Sequence, residues 1–333
     1  MKSGMIEGTI AEKLDRVLWE RIESDLDVYG GSILEHLLTP EECDTVTAMY
    51  ADDAVFRSRV VMARHGFGRG EYKYFRYPLP DLVESLRTNL YPRLAPVANR
   101  WNQALRSDVR YPEGHAEFLV RCHDAGQRRP TPLLLQYGDG DYNCLHQDLY
   151  GEHVFPIQVA VLLSEPGRDF SGGDFVLTEQ RPRMQSRVEV MPLRQGDAVA
   201  FAVHHRPVQG TRGTYRVNLR HGVSRVRGGH RHTLGIISMM RSRAATGSIG
   251  WSSVKMRGAG DFPAIAERVI GNDDGYPGCF RSADMCMPHG VAGLLRSEIN
   301  RLLRGFRQVE IVRANGKCMR ANATSGDAQN DVV

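Results

Sequence analysis

The chain has 333 residues, of which 41% are hydrophobic and 25% charged, with a formal net charge of +4. That is the make-up of a soluble globular protein that can build its core without disulfides. The mild positive balance allows an acidic partner such as nucleic acid without requiring one. The six cysteines (43, 122, 144, 279, 286 and 318) are scattered and form no CxxC pair. This argues against a disulfide framework or structural zinc and fits a reducing, cytoplasmic compartment. Cys279, Cys286 and His289 lie close together but lack a fourth ligand at finger-like spacing. The first 22 residues carry charges throughout, unlike a secretory signal, and no run approaches the ~18 uncharged apolar residues of a membrane helix.

Three regions follow in chain order. Residues 1–129 read mostly as helical support with a candidate substrate-lid segment. From Ala11 to Leu26, helical spacing puts Leu14, Val17, Leu18, Ile22 and Leu26 on one face. Thr39, Pro40 and Glu42 form a capping box that starts another helix. Leu82 to Leu105 has a helical rhythm interrupted by Pro92 and Pro96. Residues 130–240 break into short apolar runs punctuated by Gly, Pro, Asp and Ser, the signature of a β sandwich or barrel. Residues 241–333 are an atypical tail. One helical face there joins Val291, Leu294, Leu295, Ile299, Leu302, Leu303 and Phe306, while the last residues have a disordered composition. The predicted class is α+β, mainly β.

Within the β region, "YNCLHQDLYGEHVF" holds His146 and Asp148 one residue apart. Residues i and i+2 of a strand share a face, so both can reach one ion. Alone, His-x-Asp is a weak signal, and an ordinary loop histidine is the simpler reading. Downstream come His221, then Arg231 ten residues later, then Thr233. Two imidazoles and a carboxylate make the facial triad of a mononuclear Fe(II) oxygenase. An arginine fork with a hydroxyl beside it is a cradle for a carboxylate. His153, His204 and His205 compete for the third position. His204 and His205 sit beside Arg206-Pro207 in an expected turn without an arginine at the right distance, and His153 is too near the first pair.

The order H-x-D … H-x9-R-x-T resembles the 2-oxoglutarate- and Fe(II)-dependent dioxygenases on a double-stranded β-helix (jelly roll) with N-terminal supporting helices. "YGDGDYNCLHQD" and "FSGGDF" resemble the prolyl-hydroxylase-like branch. "RHGFGRGEYKYFRYPLP", "EQRPRMQSR" and "RPVQGTRGTYRVNLRHGVS" resemble a bacterial family of predicted oxygenases proposed to act on alkylated DNA. The likeness spans residues 10 to 237. It implies Fe(II) on His146, Asp148 and His221. It also implies 2-oxoglutarate held by Arg231, Thr233 and Tyr137, with O2 as co-substrate. A C–H bond would be hydroxylated with release of succinate and CO2. For Tyr137 a plain core role is an equal reading.

The substrate is less legible. Residues 55 to 77 interleave arginines with aromatics, and Arg181, Arg183 and Arg187 lie between the metal ligands. Basic groups hold phosphates while aromatics stack on bases, which makes Arg64, Arg69, Tyr72 and Arg183 candidate nucleic-acid contacts. The competing reading is a twisted hairpin with core aromatics and solvated arginines. A protein substrate is the rival to nucleic acid, and a non-catalytic binding module on the same fold is a third class. Oligomeric state is not legible. Finally, the resembled family ends on a strand reading Gly-Ile-Ile-Phe-His-Asp-Ala, whereas this chain reads Gly235-Ile236-Ile237-Ser238-Met239-Met240-Arg241. Deleting one base from codons for Phe-His-Asp-Ala yields Ser-Met-Met and opens an Arg codon. Residues 238–333 are therefore expected to be a frame-shifted extension, with an appended domain as the rival.

Overall fold

The computed structural model describes residues 8–149 and 151–242, with the backbone of Gln308–Val312 and Cys318–Asn322. Contacts divide the chain into two units, Met1–Arg243 and Ala244–Val333. In the second, the two described strands form an antiparallel hairpin. The amphipathic stretch 291–306 and the chain end lie outside the described residues, as does most of the frame-shift reading.

The first unit runs in order α1 (Ile10–Asp15), α2 (Trp19–Tyr29), β1 (Gly31–Leu34), α3 (Pro40–Ala48), β2 (Phe56–Val61), β3 (Gly68–Arg69), β4 (Glu71–Phe75), α4 (Asp81–Ala104) and α5 (His115–Asp124). Then come β5 (Gln127–Arg129), β6 (Leu133–Tyr137), β7 (Tyr142–His146), β8 (Ile157–Leu162), β9 (Phe170–Gly172), β10 (Phe175–Gln180), β11 (Arg187–Met191) and β12 (Ala198–Ala202). The unit closes with β13 (His205–Gly210), β14 (Gly213–Val223), β15 (Val226–Gly229), β16 (Arg231–Ile236) and β17 (Arg241–Ser242). The major sheet has the order β1-β12-β8-β16-β6-β4-β2, and the minor sheet β11-β10-β14-β7-β3 with β13 also on β14. All of these pairings are antiparallel.

Strand alternation divides the apolar residues into two cores. On β8, Ile157, Val159 and Val161 join the core shared with Leu86, Leu90 and Leu94 of α4. Ala160 and Leu162 join a second core with Phe175, Leu177 and Val223 of the minor sheet. The functional residues sit at the edge of this second core, between the sheets.

Several expectations change. The Ala11–Leu26 helix is two helices: the Thr9–Glu12 capping box opens a short first one that ends at Asp15, and a second starts at Trp19. Leu14, Ile22 and Leu26 still face inward, but Leu18 falls at the break and is 74% exposed. Conversely, α4 runs unbroken through Pro92 and Pro96. Ten buried side chains along it outweigh the lost backbone bonds. Three strands of the major sheet, β1, β2 and β4, come from the region read as mostly helical. His205-Arg206-Pro207 opens strand β13 and not a turn, because its residues pair along β14. Over residues 55–77 the hairpin reading holds for the core: β2 pairs with β4, and Phe56, Tyr74 and Phe75 are buried. Arg59 pairs with Glu71, Lys73 with Asp53, and Arg57 lies 4.3 Å from the Tyr74 ring centre.

The segment after β16 is held by its backbone. Arg87, fully buried, donates to the carbonyls of Ile237, Ser238 and Met239, with further contacts to Met240 Sδ at 3.2 Å and the Tyr77 hydroxyl at 2.9 Å. His115, Thr131 and Gln127 also bond carbonyls of this stretch. Such contacts read the main chain and tolerate Ser-Met-Met as side chains. No carboxylate among the described residues pairs with Arg87. An Asp oxygen stands as many bonds from Cα as Met Sδ does. Met240→Asp is therefore expected to raise the thermal midpoint by about 4–8 °C, while Arg87→Leu lowers stability by roughly 3–5 kcal/mol. Thermal unfolding of both variants checks this; a fall for Met240→Asp would contradict it.

Candidate metal centre

The site starts from a cross-strand pair. His221 on β14 stands opposite His146, the last residue of β7, so both rings leave the minor sheet on one side, their centres 4.2 Å apart. Asp148 lies just past the strand end, and the loop brings its carboxylate across both rings. Its oxygens are 3.6 Å from His146 Nε2 and 3.5 Å from His221 Nε2. One donor atom from each residue falls within 4.8 Å of the others. His146 Nδ1 meets the Cys144 carbonyl at 2.8 Å. A carbonyl only accepts, so Nδ1 carries the proton and Nε2 keeps its lone pair toward the carboxylate. His221 is backed by Phe201, 4.6 Å away between ring centres, and by Phe175 at 6.1 Å. Burial, with His146 beside it, pushes the His221 imidazole down to about 4, so it is neutral at physiological pH. Two neutral imidazoles and a carboxylate are the donor chemistry of an Fe(II) facial site, and they fit it.

Arg231 and Thr233 open β16 and face inward, opposite Tyr137 and Leu135 of β6. Arg231 is 1% exposed, and its Nη1 donates to the Thr233 hydroxyl. Its guanidinium stands 5.6 Å from the Tyr137 ring centre and 5.8 Å from that of Phe170. Nε has no hydrogen-bond partner, and no carboxylate pairs with the group among the described residues. Burial lowers its pKa to about 10, which still leaves it charged. A buried unpaired guanidinium is costly unless a ligand completes it. Its packing explains the "SGGDF" turn: Gly173 has φ +65, and a Cβ there would lie 3.0 Å from Arg231 Cδ and 2.9 Å from Val226 Cγ2. Tyr137 is fully buried beside Arg231, and burial pushes its hydroxyl up to about 12, so it stays protonated as a donor.

The remaining expected residues are spread. Arg69 pairs by register with Tyr142 of β7, and Arg64 precedes the same strand edge; both are exposed. Arg183 is exposed between β10 and β11, with φ +62. Tyr72 stands beside Leu135 on the major sheet; burial first, with Asp148 among the lesser causes, raises its pKa. His153, His204 and His205 stay outside the His146–Asp148–His221 cluster.

Comparison with known proteins places this geometry. The model of a family described as an oxygenase, catalysing oxidative methylation of damaged DNA, matches residues 70–241. An uncharacterised protein of Mycobacterium tuberculosis, found in two strains, is 44% identical over 192 residues, covering 56% of this chain and 82% of the relative. A prolyl-4-hydroxylase from Pseudomonas putida is similar in structure at 15% identity and TM-score 0.40, over 68% of this chain and 100% of that one. A Burkholderia pseudomallei oxidoreductase of the 2OG-Fe(II) oxygenase family gives 15% and 0.39, over 72% and 96%. The chain is a protein of mixed helix and antiparallel sheet, and its family match makes it an oxidoreductase. The chain belongs to the family of oxygenases that the matching model defines.

Burial also sets an acid limit. His115, His204, His221 and His232 are all lowered to about 4, by desolvation first. The unfolded chain binds protons near 6.5, so the folded state keeps its full stability above that value and loses it progressively as pH falls from 6.5 to 4. For His115 alone the loss is on the order of 3 kcal/mol. Denaturant unfolding of metal-free protein at pH 7 and pH 4.5 is expected to show a clear drop, smaller in His115→Asn; equal stabilities would contradict it.

Proposed function

We propose that this chain is an Fe(II)- and 2-oxoglutarate-dependent dioxygenase on a double-stranded β-helix, acting in the cytoplasm on N-methyl groups of alkylated nucleic acid. The observation that carries this reading is Arg231, a buried guanidinium that no carboxylate of the described chain pairs, packed on Tyr137 and Phe170 of the same core whose Phe175 and Phe201 back His221. Its partner would be the distal carboxylate of 2-oxoglutarate, shared with the Thr233 hydroxyl and with Tyr137 as neighbour. His146 Nε2, the Asp148 carboxylate and His221 Nε2 would hold the iron. When bound, iron with 2-oxoglutarate supplies the reduction of O2, one oxygen atom entering succinate with loss of CO2 and the other entering a substrate C–H bond.

The chain's own residues prepare this chemistry. The Cys144 carbonyl fixes the His146 tautomer. Burial keeps His221 unprotonated, and Phe175 and Phe201 exclude water from its far side. An N-methyl group that gains a hydroxyl is a hemiaminal and collapses to formaldehyde and the bare nitrogen, so the net change on the base is demethylation. Arg64, Arg69 and Arg183 lie on or beside strands that flank the ligand-bearing ones and suit a phosphate backbone. A base within a duplex must be flipped out to reach the iron.

The test is formaldehyde and succinate release from N-methylated single-stranded oligonucleotides by the full-length chain with Fe(II), 2-oxoglutarate and O2. Roughly equal amounts of the two products support the reading. Succinate without formaldehyde, together with hydroxylation of a peptide panel, would replace the nucleic-acid substrate with a protein one.

A further inference from the structure

Strand β8 reads Ile-Gln-Val-Ala-Val-Leu, and all six side chains are buried. Gln158 is the only polar residue in it. It shares strand parity with Ala160 and Leu162, which face the space between the sheets, and opposes Ile157, Val159 and Val161, which face the helices. Its register partner is Phe201, and the partner of Phe201 is Gly31. Two contacts show what this row faces. The Phe201 ring lies 4.6 Å from the His221 ring. A Cβ on Gly31 would stand 2.6 Å from Leu177 Cδ1, and Leu177 is the cross-strand partner of His221. Adjacent cross-strand Cβ atoms are roughly 5 Å apart. The Gln158 carboxamide is therefore within a side-chain length of the ring that backs a proposed metal ligand.

Gln158 is only 4% exposed, and its Nε2 has no hydrogen-bond partner. Burying an unmet donor is unfavourable, and an apolar residue of the same length would avoid that cost. Its strand neighbours are all apolar, so packing does not explain an amide at this position. A donor held ready in a closed apolar wall next to the centre suits a ligand that arrives with an acceptor.

We propose that Gln158 orients the substrate, its Nε2–H donating to the ring nitrogen or carbonyl oxygen on the edge of the alkylated base beside the N-methyl carbon. This rests on the nucleic-acid reading given above. Flipped bases are read by such edge hydrogen bonds, and positioning of this kind sets which C–H meets the oxidant. The donor would not touch iron or 2-oxoglutarate, whose partners lie on other strands.

The experiment compares parent, Gln158→Met and Gln158→Glu as full-length proteins. Three quantities are read: the thermal midpoint, succinate formed without a methylated substrate, and formaldehyde per succinate with an N-methylated single-stranded oligonucleotide. The Met variant is expected to melt at or above the parent temperature. Both variants are expected to keep substrate-free succinate formation within about twofold and to lose roughly tenfold or more in formaldehyde per succinate. A lowered midpoint for Gln158→Met would make the amide structural, and loss of substrate-free turnover would assign it to the co-substrate; either overturns the proposal. Parent-like coupling in both variants overturns it while leaving the nucleic-acid reading intact. A parent that makes succinate but no formaldehyde from the oligonucleotide overturns that reading and this proposal with it.

Discussion

Asp148→Ala is expected to lower 2-oxoglutarate-dependent succinate formation by roughly three orders of magnitude or more, down to the level of free iron. Asp148 is the one anionic donor of the cluster, and its two oxygens face one imidazole each, at 3.6 Å and 3.5 Å. Without it, two neutral rings remain, which hold a hard divalent cation weakly. The fold does not depend on this carboxylate: it lies past the end of β7 and is partly exposed, so the variant should melt near the parent temperature. His146→Ala and His221→Ala should fall alike in turnover. They differ in folding, because His221 packs against Phe201 and Phe175 while His146 is partly exposed. Succinate formation that survives in all three variants would remove the metal assignment.

Arg231→Met is expected to raise the 2-oxoglutarate KM by roughly a hundredfold, equivalent to about 3 kcal/mol for a buried charge-assisted pair. The same substitution should leave the metal-free protein as stable as the parent or more so. The two effects have one cause. Arg231 is 1% exposed, its Nε is unmet, and no carboxylate among the described residues forms an ion pair with it, Asp174 acting on its charge only from a longer distance. The protein retains this cost in the absence of ligand and recovers it on binding a carboxylate. Arg231→Lys keeps the charge but loses the fork and should fall between the two. Steady-state kinetics in 2-oxoglutarate, with denaturant unfolding of the metal-free proteins, reads both quantities. A destabilised Arg231→Met with parent KM would mean that the arginine is a structural residue.

The chemistry of the site was legible because it needs particular elements in a particular order. His146, Asp148, His221 and Arg231 have few substitutes for their roles, and antiparallel pairing of β14 with β7 turns a separation of 75 positions into a cross-strand pair. Tyr137 was balanced between core and site; it is buried beside Arg231, and its role toward a co-substrate belongs to the proposal. What local pattern could not supply was tertiary partnership. β1, β2 and β4 lie among helical signals and become strands because the major sheet offers them neighbours. Leu18 fits the helical rhythm of its neighbours yet lies in the break between the end of the first helix at Asp15 and the start of the second at Trp19, which apolar spacing does not mark. Pro92 and Pro96 read as interruptions, but the buried face of α4 holds the helix through them. Gln158 carries a signal in hindsight: one amide in an otherwise apolar run. Its meaning depends on Phe201 and His221, which are distant in sequence.

The central claim is that His146, Asp148 and His221 hold iron next to a carboxylate site at Arg231. The most direct test is anaerobic titration of the metal-free, full-length chain with Fe(II), with and without 2-oxoglutarate. The account predicts one ion per chain and tighter iron binding when 2-oxoglutarate is present. By reciprocal linkage, that tightening should be lost in Arg231→Met, and iron binding itself should be lost in Asp148→Ala. Equal iron binding by the parent and Asp148→Ala, or a parent whose iron affinity ignores 2-oxoglutarate, would contradict it.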